Sequence, residues 1–161
     1  MSRSLPNTNQ LFSDPEYQHF LKKTEACEKN RPFCRHDLKH FIDVARIANL
    51  LALEEGLSVS ADLIYTTALL HDIGRFEEYE KGTPHELASR DLAKKLLPAL
   101  NFTEAEQAAI LSAIENHRNP QATGFDAVFY RADKASRACY DCPAEPECRW
   151  SDEKKNFKLS Y

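Results

Sequence analysis

The sequence lacks the features that would assign a class of protein at once. No apolar run approaches the roughly 20 residues needed to cross a bilayer, and the N-terminus lacks the apolar core of a signal peptide. We therefore expect a cytoplasmic protein without a membrane partner. Glycine is scarce, with four residues in 161, and neither internal repeats nor strand-like alternation of useful length occurs. Because Ala, Leu, Glu and Lys are abundant instead, the composition predicts an all-α fold.

A strong charge bias is also absent. The formal net charge is −4, and 42% hydrophobic with 29% charged residues is an ordinary globular composition. No basic excess indicates binding to a nucleic-acid duplex or a membrane surface. A chain of this length can bury one sizeable core. Since disulfides are rare in the cytoplasm, the five cysteines favour metal or redox chemistry.

Local signals divide the chain into three parts. Residues 1–12 are polar and are predicted to form an irregular N-terminal arm. Residues 13–138 show helical apolar spacing and are predicted to form one helical domain. Residues 139–161 are predicted to form a cysteine-rich loop and tail packed on that domain.

Capping signals place the helices more closely. Ser or Thr is followed three residues later by Glu at Ser13, Thr83 and Thr103, which is typical of a helix start. Gly74 is predicted to be a left-handed cap after an apolar helix. The predicted helices cover about residues 14–29, 37–55, 61–72, 84–98, 104–117 and 126–139.

The most informative stretch is Leu69-Leu70-His71-Asp72-Ile73-Gly74-Arg75. Here a buried-type helix ends on an adjacent imidazole and carboxylate. Burying such polar groups without partners costs roughly 2–7 kcal/mol, so a ligand or partner is expected. The dipeptide alone is a weak signal and needs further His and Asp residues nearby.

Such residues occur on other predicted helices. His40, His85 and His117 lie at or near helix ends, and Asp133 lies among apolar neighbours within the last helix. Imidazoles with carboxylates suit Fe, Mn, Zn or Co better than Mg or Ca. Four histidines and two aspartates can hold two metals if a carboxylate or a water bridges them. Each residue also has a structural alternative, as a helix-end dipole partner or half of an ion pair.

The order of these residues resembles the HD superfamily of metal-dependent phosphohydrolases. The stretch around His71-Asp72 matches that family's central motif, His40-Phe-Ile-Asp-Val44-Ala45 its first and Ala132-Asp133-Lys134 its last, over about residues 36–140. The resemblance implies a compact bundle of about five helices, and the short cysteine-containing C-terminal extension expected here departs from the basic pattern of the family. The absence of a Gly-Tyr-Pro triplet disfavours the cyclic-di-GMP phosphodiesterase branch. Two further histidines fall where six-ligand dinuclear members carry theirs, so the implied metal ligands are His40, His71, Asp72, His85, His117 and Asp133.

The resemblance also implies a reaction. One or two divalent transition ions would activate a hydroxide that attacks a phosphate ester or anhydride, with His71 and Asp72 as the catalytic residues. The expected substrate is a small phosphate compound, a nucleotide or dinucleotide. The alternatives are a nucleotide-binding or redox- or metal-sensing module without turnover, and a di-iron oxygenase.

Three cations and one histidine are candidates for substrate binding. Arg75, Arg118 and Lys134 each lie within three residues of an implied ligand. Arg binds phosphate in a bidentate manner and Lys acts as a point charge, although all three could also form surface ion pairs. His36 shares a helical face with His40 and lies either at the mouth of the site or simply at a helix start.

The C-terminal cysteines form a second motif, Cys139-x2-Cys142-x5-Cys148. Cys34 is the candidate fourth ligand, since it lies six residues before His40 while Cys139 lies six after Asp133. On antiparallel helices that meet at one metal, both cysteines would be displaced in the same direction. The motif indicates a structural zinc or an iron–sulfur cluster, with free thiols or a redox disulfide as alternatives.

Overall fold

Helices account for the regular structure of the chain in a computed structural model, which describes residues 4–161. No strand occurs in that range, so the predicted all-α fold is confirmed. None of its helices is long and apolar enough to span a membrane. Eight α-helices occur in the described range: α1 Pro6–Phe12, α2 Pro15–Cys27, α3 Leu38–Glu54, α4 Ala61–Leu70, α5 Arg75–Lys81, α6 His85–Leu96, α7 Glu104–Asn116 and α8 Gly124–Ala135.

Helix α4 lies at the centre of the bundle. It packs against α1, α3 and α7, and Ile64, Ala68 and Leu70 are fully buried in it. A helix that is apolar on all sides is expected in such a position. The polar residues His71 and Asp72, which follow it directly, are therefore delivered into the interior and are themselves buried.

The predicted irregular arm is wrong for residues 6–12, which form α1. Pro6 occupies the first helical position, where its missing N–H costs nothing. The free N–H groups of Asn7 and Thr8 donate to the Asp62 carboxylate at 3.0 and 2.9 Å, and Leu11 is buried beneath them. The stabilising carboxylate lies 55 residues away in sequence, so no local pattern could reveal it. The first three residues of the predicted arm lie outside the described range.

Gly74 is not the predicted left-handed cap, since its φ is −88°. Its role is to allow close packing: a Cβ at this position would lie 2.4 Å from the backbone nitrogen of Ser89 in α6. The N–H of Gly74 donates to the Ser89 Oγ at 2.9 Å. The chain then continues into α5, a seven-residue helix that was not predicted.

Several predicted helix ends also differ from the structure. Asp14, rather than Ser13, caps α2, and α6 has no side-chain cap although a capping box was predicted at Thr83. The predicted box at Thr103 is present on α7. Helix α8 ends at Ala135, four residues before Cys139, so the first cysteine of the tail lies outside the helix.

The tail after α8 has little regular structure. Within residues 139–161 only three short 3-10 turns occur, and Ala144 is the single buried residue. Polar contacts tie it to the bundle: the Asn156 Nδ2 donates to the carbonyls of Lys134 and Arg137, each at 2.9 Å. The Arg137 guanidinium lies 4.0 Å from the centroid of the Trp150 ring.

Candidate metal centre

Five helices or their ends deliver polar side chains to one interior point. His40 lies in the first turn of α3, and His71 and Asp72 follow α4. His85 begins α6, and His117 follows α7 directly. Asp133 lies in the last turn of α8 and completes the set. The structure therefore brings together all six side chains that the resemblance implies as ligands.

Asp72 lies between two groups of side chains. Its Oδ2 lies 3.2 Å from the His71 Nε2 and 3.6 Å from the His40 Nε2. Its Oδ1 lies 3.4 Å from the Nε2 atoms of both His85 and His117. The first group consists of His40, His71, Asp72 and Asp133, and the second group consists of Asp72, His85 and His117. Within each group the ligand atoms lie within 4.8 Å of one another. One carboxylate thus presents a separate oxygen to each of two ligand groups.

Local helix geometry orients two of the imidazoles. The Nδ1 of His71 lies 2.7 Å from the Ala68 carbonyl, and that of His117 lies 2.6 Å from the Ile114 carbonyl. Because a carbonyl only accepts, each Nδ1 carries the proton. In both residues the Nε2 therefore faces the centre, and in the neutral imidazole it is the nitrogen that carries the lone pair.

Contacts with residues outside their own helices orient the other two. The Nδ1 of His85 donates to the Glu78 carboxylate at 2.8 Å. The Nδ1 of His40 lies 3.3 Å from the Ser136 Oγ, which itself donates to the Asp133 carbonyl at 2.7 Å. Such outer contacts are typical of metal-binding histidines, since they fix the tautomer and the ring orientation.

Several buried atoms at this point lack a hydrogen-bond partner. They are the Nε2 atoms of His40, His71 and His117, both carboxylate oxygens of Asp72 and the Nε of Arg75, which forms an ion pair with Asp72 at 3.1 Å. An unsatisfied buried polar group costs about 1–3 kcal/mol, and few occur in a native interior. Aligned imidazole nitrogens and carboxylate oxygens are ligands for Fe, Mn, Zn or Co. The donor set therefore fits divalent transition ions.

The first group attracts positive charge strongly. Burial opposes protonation of His71, but Asp72 and Asp133 outweigh it and raise the pKa of His71 to about 10. Burial likewise pushes the pKa values of both carboxyls upward. Arg75 and His71 nevertheless hold the pKa of Asp72 well below its usual range, and His40 and His71 do the same for Asp133. Two ionised carboxylates in a buried place favour a bound cation.

The second group behaves differently. Burial lowers the pKa of His85 to about 2; Asp72 opposes this shift, while Arg75 and His117 add to it. His85 is therefore neutral near pH 7, the form in which imidazole binds metals.

The three predicted substrate-binding cations occupy different positions. Arg75 lies deepest, with its Nε 3.1 Å from the Asp72 Oδ1 and an Nη 3.2 Å from the His85 Nε2. The Lys134 ammonium lies 2.6 Å from the Asp133 Oδ2. Arg118 is more exposed and lies 3.4 Å from the Glu86 carboxylate. All three line the cavity over the centre.

His36 is buried at the edge of the first group rather than at the surface. Its Nε2 lies 3.8 Å from the Asp72 Oδ2, and its Nδ1 lies 2.8 Å from the Glu28 Oε1. Burial raises the pKa of Glu28, but bonding to His36 outweighs it, so Glu28 is ionised. No pattern in the sequence indicates the role of Glu28, because an irregular loop separates it from its partner.

A cavity of about 680 Å³ leads to the centre. Ten Lys and Arg side chains and six carboxylates line it, although the whole chain carries a net charge of −4. The positive charge of the protein is thus concentrated at this opening. Besides the three cations described above, the lining includes Arg31, Arg35, Lys39, Arg137, Arg149 and Lys155.

The four cysteines of the second predicted site line the same cavity. Cys34, Cys139, Cys142 and Cys148 are all free thiols. Among residues 4–161, no three of the cysteine sulfurs lie within 4.8 Å of one another. Cys27, the remaining cysteine, is exposed at the end of α2 and does not line the cavity.

Comparisons with known proteins agree with this geometry. A family model described as HD domain matches residues 37–142. An uncharacterized protein of Clostridium beijerinckii is 48% identical over 153 residues, which are 95% of this chain and 98% of that protein. Ribonuclease Y of Acetivibrio thermocellus is 35% identical over 96 residues, 59% of this chain but 16% of that enzyme.

A solved structure shares the fold. The crystal structure of a predicted HD superfamily hydrolase from an uncultured Thermotogales bacterium superposes with a TM-score of 0.62. The match covers 92% of this chain and 86% of that one at 24% sequence identity. At this identity the likeness supports the helical architecture alone.

Proposed function

Because the chain belongs to the HD domain family, we propose that it is a metal-dependent phosphohydrolase with a dinuclear centre. The position of Asp72 carries this proposal, since each of its carboxylate oxygens faces a different ligand group. A carboxylate placed in this way can join two ions. The proposed ligands are His40, His71, Asp72 and Asp133 for one ion and Asp72, His85 and His117 for the other.

Two divalent ions, when bound, would supply a hydroxide nucleophile near neutral pH and Lewis-acid stabilisation of a phosphoryl group. The chain itself would hold the substrate. Arg75, whose Nε lies beside Asp72 and whose guanidinium lines the cavity, would contribute positive charge to a phosphoryl group held at the centre. Lys134 would add a point charge on the side of Asp133, and Arg118 would act at the cavity rim.

The cavity supports a nucleotide or dinucleotide phosphate as the substrate. Its volume of about 680 Å³ suits a small molecule, since such sites measure roughly 300–1,000 Å³. Its excess of cationic side chains suits a polyanion, whose approach it would accelerate. The relative named ribonuclease Y adds a ribonucleotide phosphodiester to the substrates worth testing.

A metal-reconstituted screen tests the proposal. The full chain is freed of metal, reloaded separately with Fe²⁺, Mn²⁺, Zn²⁺ or Co²⁺, and assayed on a generic phosphodiester, mononucleotides, dinucleoside polyphosphates and short RNA. We expect at least one ion and one substrate class to give turnover. Asp72→Asn is the matched variant, because it keeps the side-chain shape but removes the charge.

The variant should lose hydrolysis while retaining the helical circular dichroism of the wild type. Full activity in Asp72→Asn would show that the centre is not the catalytic site. Binding of nucleotides without turnover by the metal-loaded wild type would instead favour a sensing module. Oxygen consumption by an iron-loaded protein without phosphate release would favour an oxygenase.

A further inference from the structure

The proposed reaction leaves the cysteine motif unused. Cys139 and Cys142 border one 3-10 turn of the tail, and Cys148 follows the next turn. Cys34 lies in the irregular loop between α2 and α3, more than a hundred residues earlier. Thiols from two separate segments nevertheless line the same cavity, and none of them is in a disulfide.

Cys34, Cys139 and Cys142 lie near one another, and Cys148 lines the same cavity. Burial raises the pKa of the Cys34 thiol, and Cys139 and Cys142 raise it further, which requires both to lie near it. Four thiols gathered in this way in a protein without disulfides are typical of a metal or cluster site.

The spacing of the sulfurs distinguishes the kinds of site. A single zinc ion holds sulfur at about 2.3 Å in a tetrahedron, which places every pair of sulfurs about 3.8 Å apart. No three of these sulfurs lie within even 4.8 Å of one another. An iron–sulfur cluster inserts iron and sulfide between the thiolates and so accepts a wider set. We propose that Cys34, Cys139, Cys142 and Cys148 bind an iron–sulfur cluster of the four-iron, four-sulfide class.

The surroundings suit an anionic cluster. Arg137 lies near Cys34 and favours its thiolate form. Lys155 lies near Cys148, and Arg149 lines the same part of the cavity. Neighbouring cations stabilise thiolates, the form that binds metal.

The tail has a structural need for such a group. Residues 139–161 contain one buried residue, Ala144, so the tail has almost no hydrophobic core of its own. Short segments of this kind gain stability from a crosslink or a bound metal. A cluster held jointly by Cys34 and the tail cysteines would fasten the tail to the loop before α3.

Acid-labile sulfide is the decisive measurement, because it is specific for iron–sulfur clusters and does not respond to ions at the His and Asp ligands. The full chain is purified without oxygen, reconstituted with sulfide and equal amounts of ferrous and ferric iron, and desalted. We expect about four sulfides per chain, with visible charge-transfer absorption. Cys34→Ser and Cys142→Ser should each lose nearly all of the sulfide.

Two controls complete the experiment. Cys27→Ser removes an exposed cysteine away from the cavity and should keep the full sulfide content. His71→Ala should lower iron bound at the HD centre without lowering sulfide, which separates this proposal from the proposed hydrolase. A wild-type chain that retains no sulfide, or that binds zinc in a cysteine-dependent manner instead, would overturn the cluster. Full sulfide in Cys34→Ser would overturn the four-cysteine ligand set.

Discussion

Replacing Gly74 by alanine should destabilise the bundle and disturb one half of the metal centre. The new Cβ would lie 2.4 Å from the Ser89 backbone nitrogen and 2.8 Å from the Ala88 Cβ. Ordinary contact begins near 3.4 Å, so α6 must shift by about 1 Å. The two nearest obstructing atoms, the Ser89 nitrogen and the Ala88 carbonyl carbon, belong to the backbone, and the Cβ of an alanine has no rotamer that would move it away.

The magnitude follows from two opposing effects. Overpacking costs about 1–3 kcal/mol, and a backbone obstruction lies at the upper end of that range. Alanine restricts the unfolded chain more than glycine does, and this raises the free energy of unfolding by roughly 0.4–1 kcal/mol. The net loss is about 2 kcal/mol, or a fall in Tm of about 4–8 °C for a domain of this size.

Thermal unfolding and metal analysis of Gly74→Ala test this reasoning. Since α6 begins at His85, its shift should weaken the second ion more than the first. Gly56→Ala is the control: its φ of 66° carries strain, but no atom lies within 4 Å of the added Cβ. It should lose stability without losing metal. A Gly74→Ala protein with wild-type Tm and metal content would refute the packing argument.

Three further predictions concern the centre itself. Asp72→Asn should lower binding of both ions, whereas His117→Ala should lower only one, as measured by metal content per chain. A bound ion at 100 times its Kd adds roughly 3 kcal/mol to the free energy of unfolding. A chelator should remove this stabilisation and so lower the Tm of the metal-loaded wild type, but it should hardly change the Tm of Asp72→Asn. Glu28→Gln should raise KM with unchanged metal content, because His36, the candidate histidine for substrate binding, loses its charged partner.

The sequence predicted those parts of the fold that depend on local pattern. Apolar residues placed α3 and α4, the capping box at Thr103 placed α7, and the motif order identified six side chains that the structure brings together. Their roles as ligands stay a prediction until metal is measured. What could not be predicted depends on contacts between distant residues, such as the Asp62 carboxylate that stabilises the start of α1.

Gly74 illustrates a second kind of limit. A glycine after an apolar helix most simply indicates a left-handed cap, yet this glycine has an ordinary φ of −88°. A glycine is required at this position because α6 packs closely against it. The residues around Gly74 in the sequence carry no information about how close another helix comes. Glu28 and Glu78 lie only eight and seven residues from the histidines that they contact, but the path of the irregular segment between them does not follow from a helical pattern.

The two proposed sites share the same structural supports. Helix α3 carries His40 and begins just after the loop of Cys34, while α8 carries Asp133 and leads to Cys139. A cluster that binds both the tail and the loop before α3 would therefore connect the start of α3 with the end of α8, the helices that carry His40 and Asp133. It would also fix Arg137, which lies between them at the cavity. Loss of the cysteine-bound group should accordingly weaken substrate binding, through the displaced cations, before it affects the ions at the centre.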